Sequence, residues 1–597
     1  MTSKYFFSWL PLALLLSAPA LAQTAPGWGW VRTFNDLTQP SPTSRSENLT
    51  AGVGRDAAGN LYVAGSFIGN LTIGPPPTTP PSQDMDVFVA KFDPAGTLLW
   101  VRTMHSIGPD VAMDIVVSPG GRCTVAGNYG LSLSGLSFAS FGSSLVLPPS
   151  PSPTTACGTL PFVAAINPDG SLAWASSPAP AAVCGLSFTS LTYKNCLATD
   201  AQDNVYWTVT TPPAGATAMS GTREAALLKF NASGQVQWTR RAAPTGQPGQ
   251  SVLPASLRAD QAGNLYWSVR NSDPFTLDNV TYGANSSNSL IKLATATNQV
   301  QWVKDDLFQV EFTPGNYVPG GYTIAGIDAA AGKLYFWIPT WGRNIAYNGP
   351  GSPIMVPPNN LVSRFYLAQT DLNGQVQWVK LLANLTTTNT NVSYADASVY
   401  PSGNGLAVLT ETPNQSTLNF VGDATTYTAA QAGLVVVARF NPTTGLTEWV
   451  RTAGTDYNVY YSSGSQAGTT AINAVADPTG NVYVAGLYYG PAHFGGTALG
   501  FTNSFSSYLA KLDQSVLPTR PAMLGKTWQP YPNPATGSVQ LSGLPTGAQV
   551  SLLDALGRTV RRTTAPTLGL GGLAPGLYLL QVGGTAESYQ SQRLTVE

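Results

Sequence analysis

The sequence predicts an all-β chain: a seven-bladed β-propeller of four-stranded blades, closed by its own N-terminal strand, followed by a small Ig-like β-sandwich. Three observations predict it. Short strand-like passages recur in fixed order through most of the 597 residues. Each is punctuated by turn tetrads rich in Asp, Asn, Pro and Gly. No segment carries a helical period with caps.

The repeat has three pieces. A turn and strand recurs as "DAAGNLYVAG" (56–65), "GGRCTVAG" (120–127), "DAQDNVYWTV" (200–209), "DQAGNLYWSV" (260–269), "DAAAGKLYFWI" (328–338), "PSGNGLAVLT" (401–410) and "DPTGNVYVAG" (477–486). A strand such as "DVFVAKF" (86–92) or "SSYLAKL" (506–512) follows in each unit. A second turn and strand then ends in tryptophan, as in "DPAGTLLWVR" (93–102), "NASGQVQWTR" (231–240) and "DLNGQVQWVK" (371–380). Alternation of Val, Tyr, Phe and Trp with small or polar residues marks strands with two unlike faces. With the apolar stretch before each first turn, every unit has four strands, the content of a propeller blade.

The first two pieces occur seven times. The tryptophan strand occurs six times in phase, at Trp100, Trp174, Trp238, Trp302, Trp378 and Trp449, and is missing after "SSYLAKLDQS". "WGWVRTF" (28–34) supplies it: Trp30 precedes Trp100 by 70 positions, and later steps run from 64 to 76. The N-terminal strand is therefore expected to pair with residues 506–512, leaving no open sheet edge.

The order "D..GN.YVAG … D.FVAKFD..G...W" resembles the SBBP family of seven-bladed β-propeller repeats over residues 27–514. Blade 2 departs from it in lacking the "DxxGN" turn, and blade 5 in having Gln369 where Lys91 stands.

Residues 1–22 read as a secretory leader, with an apolar run from Phe6 to Leu16 and Ala20-Leu21-Ala22 as cleavage site. The propeller is assigned to 23–514, a proline-containing linker to 515–529 and the sandwich to 530–597. This last segment resembles the type A C-terminal sorting domain of the type IX secretion system of Bacteroidota. The likeness rests on "YPNPA" (531–535), "LLDALGR" (552–558) and "LAPGLYLLQV" (573–582). Its motif positions are Tyr531, Pro532, Asn533, Pro534, Gly557, Arg558, Pro575, Gly576 and Tyr578. The resemblance implies type IX secretion machinery as a partner and a secreted or surface-attached product.

Charged residues make up 10% of the chain and the formal net charge is −1. No basic footprint for nucleic acid exists. The leader's apolar run is too short to span a bilayer, and no later stretch is long enough. The two histidines, His105 and His493, fall in different blades, so neither a histidine-rich metal site nor a Ser–His–Asp triad is indicated. No cofactor is expected. The recurring Asp56, Asp200, Asp260 and Asp477 suit turn capping better than calcium. The recurring Lys91, Lys229, Lys292, Arg439 and Lys511 are expected to pack their stems and keep their heads in water.

Irregular loops are the better place to seek function. The passages 305–322, 339–362 and 453–468 combine aromatics with acids. Asp305, Phe308, Glu311, Phe312, Tyr317, Trp341, Tyr347, Asp456, Tyr457, Tyr460 and Tyr461 are the candidate binding residues, with a glycan or protein as ligand. The reading favoured is a non-enzymatic binding or adhesion module. The alternative is an extracellular carbohydrate-active enzyme using Asp305, Asp306, Glu311 and Asp456, and a third is a structural module of the cell envelope. Among Cys123, Cys157, Cys184 and Cys196, a Cys184–Cys196 bridge is the first expectation, Cys157–Cys184 the next, and Cys123 is expected as a buried thiol.

Overall fold

The computed structural model describes residues 27–34, most of 47–513 and most of 529–597. The longer passages outside this description are 1–26, 35–46, 74–81, 131–139, 142–146, 148–158, 178–194, 214–221, 355–361, 388–398, 455–467, 514–528 and 584–591; shorter loop positions also fall outside it. No helix occurs among the described residues. In particular, none there is long and apolar enough to cross a membrane. One compact unit spans Ala25–Gln514, and a second includes Ser515–Glu597.

In the larger unit, four consecutive strands repeatedly form an antiparallel meander. The first sheet contains Glu47–Arg55, Leu61–Gly69, Ser82–Phe92 and Leu98–His105. The second contains Val111–Val117, Cys123–Gly130, Thr159–Ile166 and Leu172–Ser176. The third is built on Leu197–Thr199, Val205–Thr211, Glu224–Phe230 and Val236–Pro244, the fourth on Val252–Ala259, Asn264–Asn271, Asn288–Ala294 and Gln299–Lys304. The fifth takes Thr323–Asp328, Lys333–Trp341, Val362–Asp371 and Val376–Thr387, and the sixth Val399–Ser402, Gly405–Thr412, Leu434–Phe440 and Thr447–Gly454. The seventh has Gly468–Ala476, Val482–Tyr489 and Ser506–Asp513, and its fourth strand is Gly27–Thr33. Val31 lies opposite Ala510 and Thr33 opposite Tyr508, the expected pairing. The first strand of each sheet contacts that of the next, and the seventh sheet's first strand contacts that of the first sheet.

The turns explain the "DxxGN" text. Asp56 accepts the Asn60 backbone N–H at 2.8 Å, the Asn60 carboxamide at 2.8 Å and the Tyr62 hydroxyl at 3.2 Å. Asp200, Asp260 and Asp477 make the same three contacts with Asn204 and Tyr206, Asn264 and Tyr266, and Asn481 and Tyr483. One carboxylate thus serves as a turn cap and satisfies a buried phenol, which neither residue could do alone.

The lysine expectation is corrected. Lys91 and Lys292 are 7% exposed, and their heads do not sit in water. Lys91 Nζ lies 4.9 Å from the centre of the Tyr62 ring and donates to the Pro168 carbonyl of the next sheet at 3.0 Å. Lys292 does the same with Tyr266 and the Leu372 carbonyl. These cations clamp neighbouring sheets together.

The tryptophans and the turn glycines form one joint. A Cβ on Gly170 would meet Trp100 of the preceding sheet at 3.0 Å, and one on Gly234 would meet Trp174 at 2.5 Å. Both glycines also have positive φ, so the position selects glycine twice. Trp30 occupies the same place over Gly96. Trp28 turns the other way: its indole donates to Thr452 O at 3.1 Å and meets Phe494 edge-on at 5.0 Å.

Several long links return as edge strands. Ser140–Phe141, Phe275–Leu277, Ser416–Phe420 and Ala492–Phe494 each pair with the last strand of the preceding sheet. They cover backbone that would otherwise be an open edge.

The C-terminal unit has two sheets. One holds Gln529–Tyr531, Ser538–Ser542 and Thr567–Gly569; the other holds Thr559–Thr563, Gln549–Leu553, Gly576–Gly583 and Gln592–Val596. Val539, Leu552, Leu580 and Leu594 fill its core.

Candidate functional site

Part of the predicted loop set is brought together, in an unexpected form. Phe308–Thr313 pairs with Asn316–Pro319 on one side and Ile345–Tyr347 on the other, giving a small inserted sheet. Phe308 is 1% exposed and packs at 5.4 Å against both Tyr322 and Phe336. Tyr347 joins the same core. Neither forms a groove wall, which corrects the expectation for these two: the insert needs its own apolar filling. The acids here have structural partners. Asp305 accepts the Gly283 N–H at 3.1 Å and the Ser289 hydroxyl at 2.9 Å. Glu311 accepts the Asn344 carboxamide at 2.5 Å, and its carbonyl accepts Arg343 at 2.8 Å. The backbones of Phe312, Tyr317 and Trp341 lie in strands. Asp306, Asp456, Tyr457, Tyr460 and Tyr461 lie outside the described residues.

The cysteine expectation is also corrected. Cys196 is a free, buried thiol, not half of a Cys184–Cys196 bridge. It immediately precedes the third sheet's first strand and packs beside Ala126, Trp174 and Trp207. Burial and the neighbouring Asp114 carboxylate push its pKa well up. Cys123 is a fully buried free thiol, as expected. Cys157 and Cys184 fall outside the described residues.

In the C-terminal unit, Asn533 donates to Arg593 O at 2.7 Å and accepts the Thr595 N–H at 2.9 Å, tying its segment to the last strand. Arg558 donates to Asp554 at 2.8 Å, and the Tyr578 hydroxyl donates to Ala574 O at 2.8 Å. Tyr531 is 73% exposed. Pro532, Pro534 and Pro575 lie in bends and Gly576 opens the strand Gly576–Gly583; Gly557 lies outside the described residues.

The sequence reading missed a cavity of about 360 Å³ among the first strands of the first, second, third, fourth and seventh sheets. Arg55, Asp114, Asn195, Arg258 and Asn473 are the charged and carboxamide residues among those that line it, and the Arg55 guanidinium itself lies beside Gly59 in the turn of the first sheet. Arg258 donates to Asn195 Oδ1 at 2.6 Å and to Leu257 O at 2.8 Å, which fixes its guanidinium. Asn195 has φ 65°, a left-handed conformation that asparagine tolerates better than most residues. Asp114 accepts the Ile115 and Leu197 N–H groups at 2.9 Å. Burial nevertheless raises its pKa, while the Arg258 charge opposes the rise. The available signal was a pair of departures from the repeat: "VGRD" and "LRAD" carry arginine where "LATD" and "AVAD" carry none. Among the described residues no group of three or more His, Cys, Asp or Glu side chains could hold a metal.

Residues 529–597 match the family model described as "Secretion system C-terminal sorting domain". This places the chain among proteins exported by the type IX system to the cell surface or beyond. No curated protein matches the chain. Among solved structures, a mutant puromycin hydrolase complexed with PGG is 14% identical over 76% of this chain, with a TM-score of 0.28. The chain spans 61% of that hydrolase. The polysaccharide lyase Uly1 is 9% identical over 82% of this chain and 100% of its own, with a TM-score of 0.36. PorZ, a surface component of the type IX secretion system of Porphyromonas gingivalis, is 11% identical over 93% of this chain and 99% of its own, with a TM-score of 0.15. Likenesses this remote carry no argument about activity.

Proposed function

We propose that this chain is a secreted or surface-displayed seven-bladed β-propeller, closed by its N-terminal strand, that acts as a non-enzymatic binding or adhesion module for a glycan or protein. Residues 1–22 act as leader, 23–514 as propeller, 515–529 as linker and 530–597 as the signal read by the type IX machinery. The repeat text is of the SBBP kind. The circuit of contacts between successive first strands supports seven blades in a ring.

One observation carries the binding reading over a hydrolytic one. Asp305 and Glu311, which a glycosidase mechanism would use, are hydrogen-bonded to structural groups. A catalytic carboxyl must instead face the substrate bond. The test is a glycan array run beside chromogenic polysaccharides. Saturable retention without turnover is expected. Turnover that disappears in Asp305→Asn or Glu311→Gln would replace this reading with the hydrolytic one.

A further inference from the structure

The junction between the fourth and fifth sheets departs from the repeat. At three other junctions, an arginine two places after the tryptophan of a last strand reaches into the next sheet's turn. Arg32 Nε donates to Gly96 O and Arg102 Nε to Gly170 O, each at 2.8 Å, and Arg240 donates to Asn298 at the same turn position. Lys304 stands in this place in the fourth sheet. Its Cγ and Cε lie 3.4 and 3.6 Å from where a Cβ on Gly374 would be, so its stem covers the turn. Lysine carries a methylene, Cε, where arginine carries the Nε–H that makes this bond. The Lys304 ammonium has no hydrogen-bond or ion-pair partner among the described residues. A cavity of about 200 Å³ lies here, lined by Lys304, Leu307, Asn348, Gly374, Gln375 and Val376. Leu307 immediately precedes the inserted strand Phe308–Thr313 and Asn348 immediately follows Ile345–Tyr347, so the insert supplies part of the wall. Leu307 and Val376 are buried and give the cavity its apolar side. The carboxamides of Asn348 and Gln375 have no hydrogen-bond partner among the described residues.

We propose that this cavity binds an acidic sugar residue bearing a single carboxylate or sulfate group, with the anionic group against Lys304. One ammonium is the only charged group in the lining, which suits a ligand with one negative charge. Each carboxamide can both donate to and accept from a sugar hydroxyl. Leu307 and Val376 offer an apolar surface to the C–H side of the ring. A bare inorganic anion would use Lys304 and leave the rest of the lining unmatched. The inference deepens the binding reading and rests on it, naming both a ligand class and a place beside the inserted sheet.

The experiment is titration calorimetry with glucuronate, glucose 6-sulfate, glucose and inorganic phosphate, on the whole protein and on Lys304→Gln, Lys304→Arg and Asn348→Ala. An acidic sugar is expected to bind saturably, the tighter of the two naming the acid, with glucose and phosphate weaker than both. Lys304→Gln should weaken that sugar roughly ten- to hundredfold and Asn348→Ala roughly three- to tenfold; added salt should weaken it in the parent protein. Lys304→Arg keeps the charge but restores the Nε–H that seals other junctions on the turn carbonyl, so it should also lose affinity. Melting temperatures of the ligand-free variants separate folding from binding, and none should fall much, since neither side chain makes a hydrogen bond within the described residues. No saturable response to either acidic sugar, equal binding of glucose, unchanged affinity in Lys304→Gln, or full affinity in Lys304→Arg would overturn the proposal. Glycan-array retention that is unchanged in Lys304→Gln would leave the broader binding reading standing while this site fails; absence of any retention by the parent protein would remove that reading and this site with it.

Discussion

Trp30, near the start of the chain, lies against Gly96, in the turn between the third and fourth strands of the first sheet. A Cβ at Gly96 would come within 2.9 Å of the indole. The same relationship joins Trp100 to Gly170 and Trp174 to Gly234, so the N-terminal strand makes a repeat contact although it stands outside the repeat order.

Trp30→Ala should therefore destabilise the larger unit by about 2–4 kcal/mol, the usual cost of removing a partly buried large aromatic. Gly96→Ala should cost about 1–3 kcal/mol, because it adds both a left-handed strain and a clash with the ring. In the double variant the clash is gone, so its cost should be less than the sum of the two single costs. Urea unfolding of the four proteins checks this; strict additivity would show that the contact does not couple them.

Lys91→Met should cost about 1–2 kcal/mol, from loss of its donation to Pro168 O and of its place over Tyr62. Lys511→Met should cost less. Lys511 lies farther from its ring, 5.9 Å from Tyr483, and pairs with a half-exposed Asp513. Thermal melts of both variants give the comparison, and equal losses would refute a clamp between sheets.

Asp110 should make stability depend on pH. Burial raises its carboxyl to about 7, against the opposing hydrogen bonds from Ser106 and Gly130. The folded protein therefore holds this proton more tightly than the unfolded chain. The associated stability is fully present below the unfolded value near 4, falls as pH rises toward 7 and is lost above it, by up to roughly 4 kcal/mol. Asp110→Asn should flatten that part of the profile. Denaturant midpoints at pH 4 to 8 give the measurement, and a parent profile rising over this range would contradict it.

Cys123 and Cys196 should resist alkylation in the native protein, since burial disfavours both thiolates. Both should react fully in denaturant without prior reduction. A mass-mapped disulfide at either residue would overturn the assignment of free buried thiols.

Most of the larger unit was legible because its determinants are local. "DAAGN" specifies a capped turn, and "VFVAKF" specifies a two-faced strand wherever it falls. The missing tryptophan strand was found by counting. Cys196 was misread because the third sheet's first strand is only three residues long, too short to show a pattern beside irregular text. Phe308 and Tyr347 stand in passages without the repeat's pattern, yet "FQVEFT" alternates like a strand. Nothing in one repeat announces that an insert carries its own core. The cavity among the first strands was hidden for a different reason: a residue's approach to its neighbours across five sheets depends on their packing, which no single repeat encodes.

The pairing of Gly27–Thr33 with Ser506–Asp513 also imposes an order in time. During synthesis or passage across a membrane the N-terminal strand emerges early, but its partner comes after nearly the whole of the larger unit. Until then that strand and the lone edge of Val482–Tyr489 are exposed backbone, open to chaperones, proteases and sister chains. Joining them bridges a very long stretch of chain, which makes it a slow event. A chain cut short anywhere before residue 506 can fold its early sheets and still lack the last seam, so resistance to protease distinguishes complete molecules from unfinished ones.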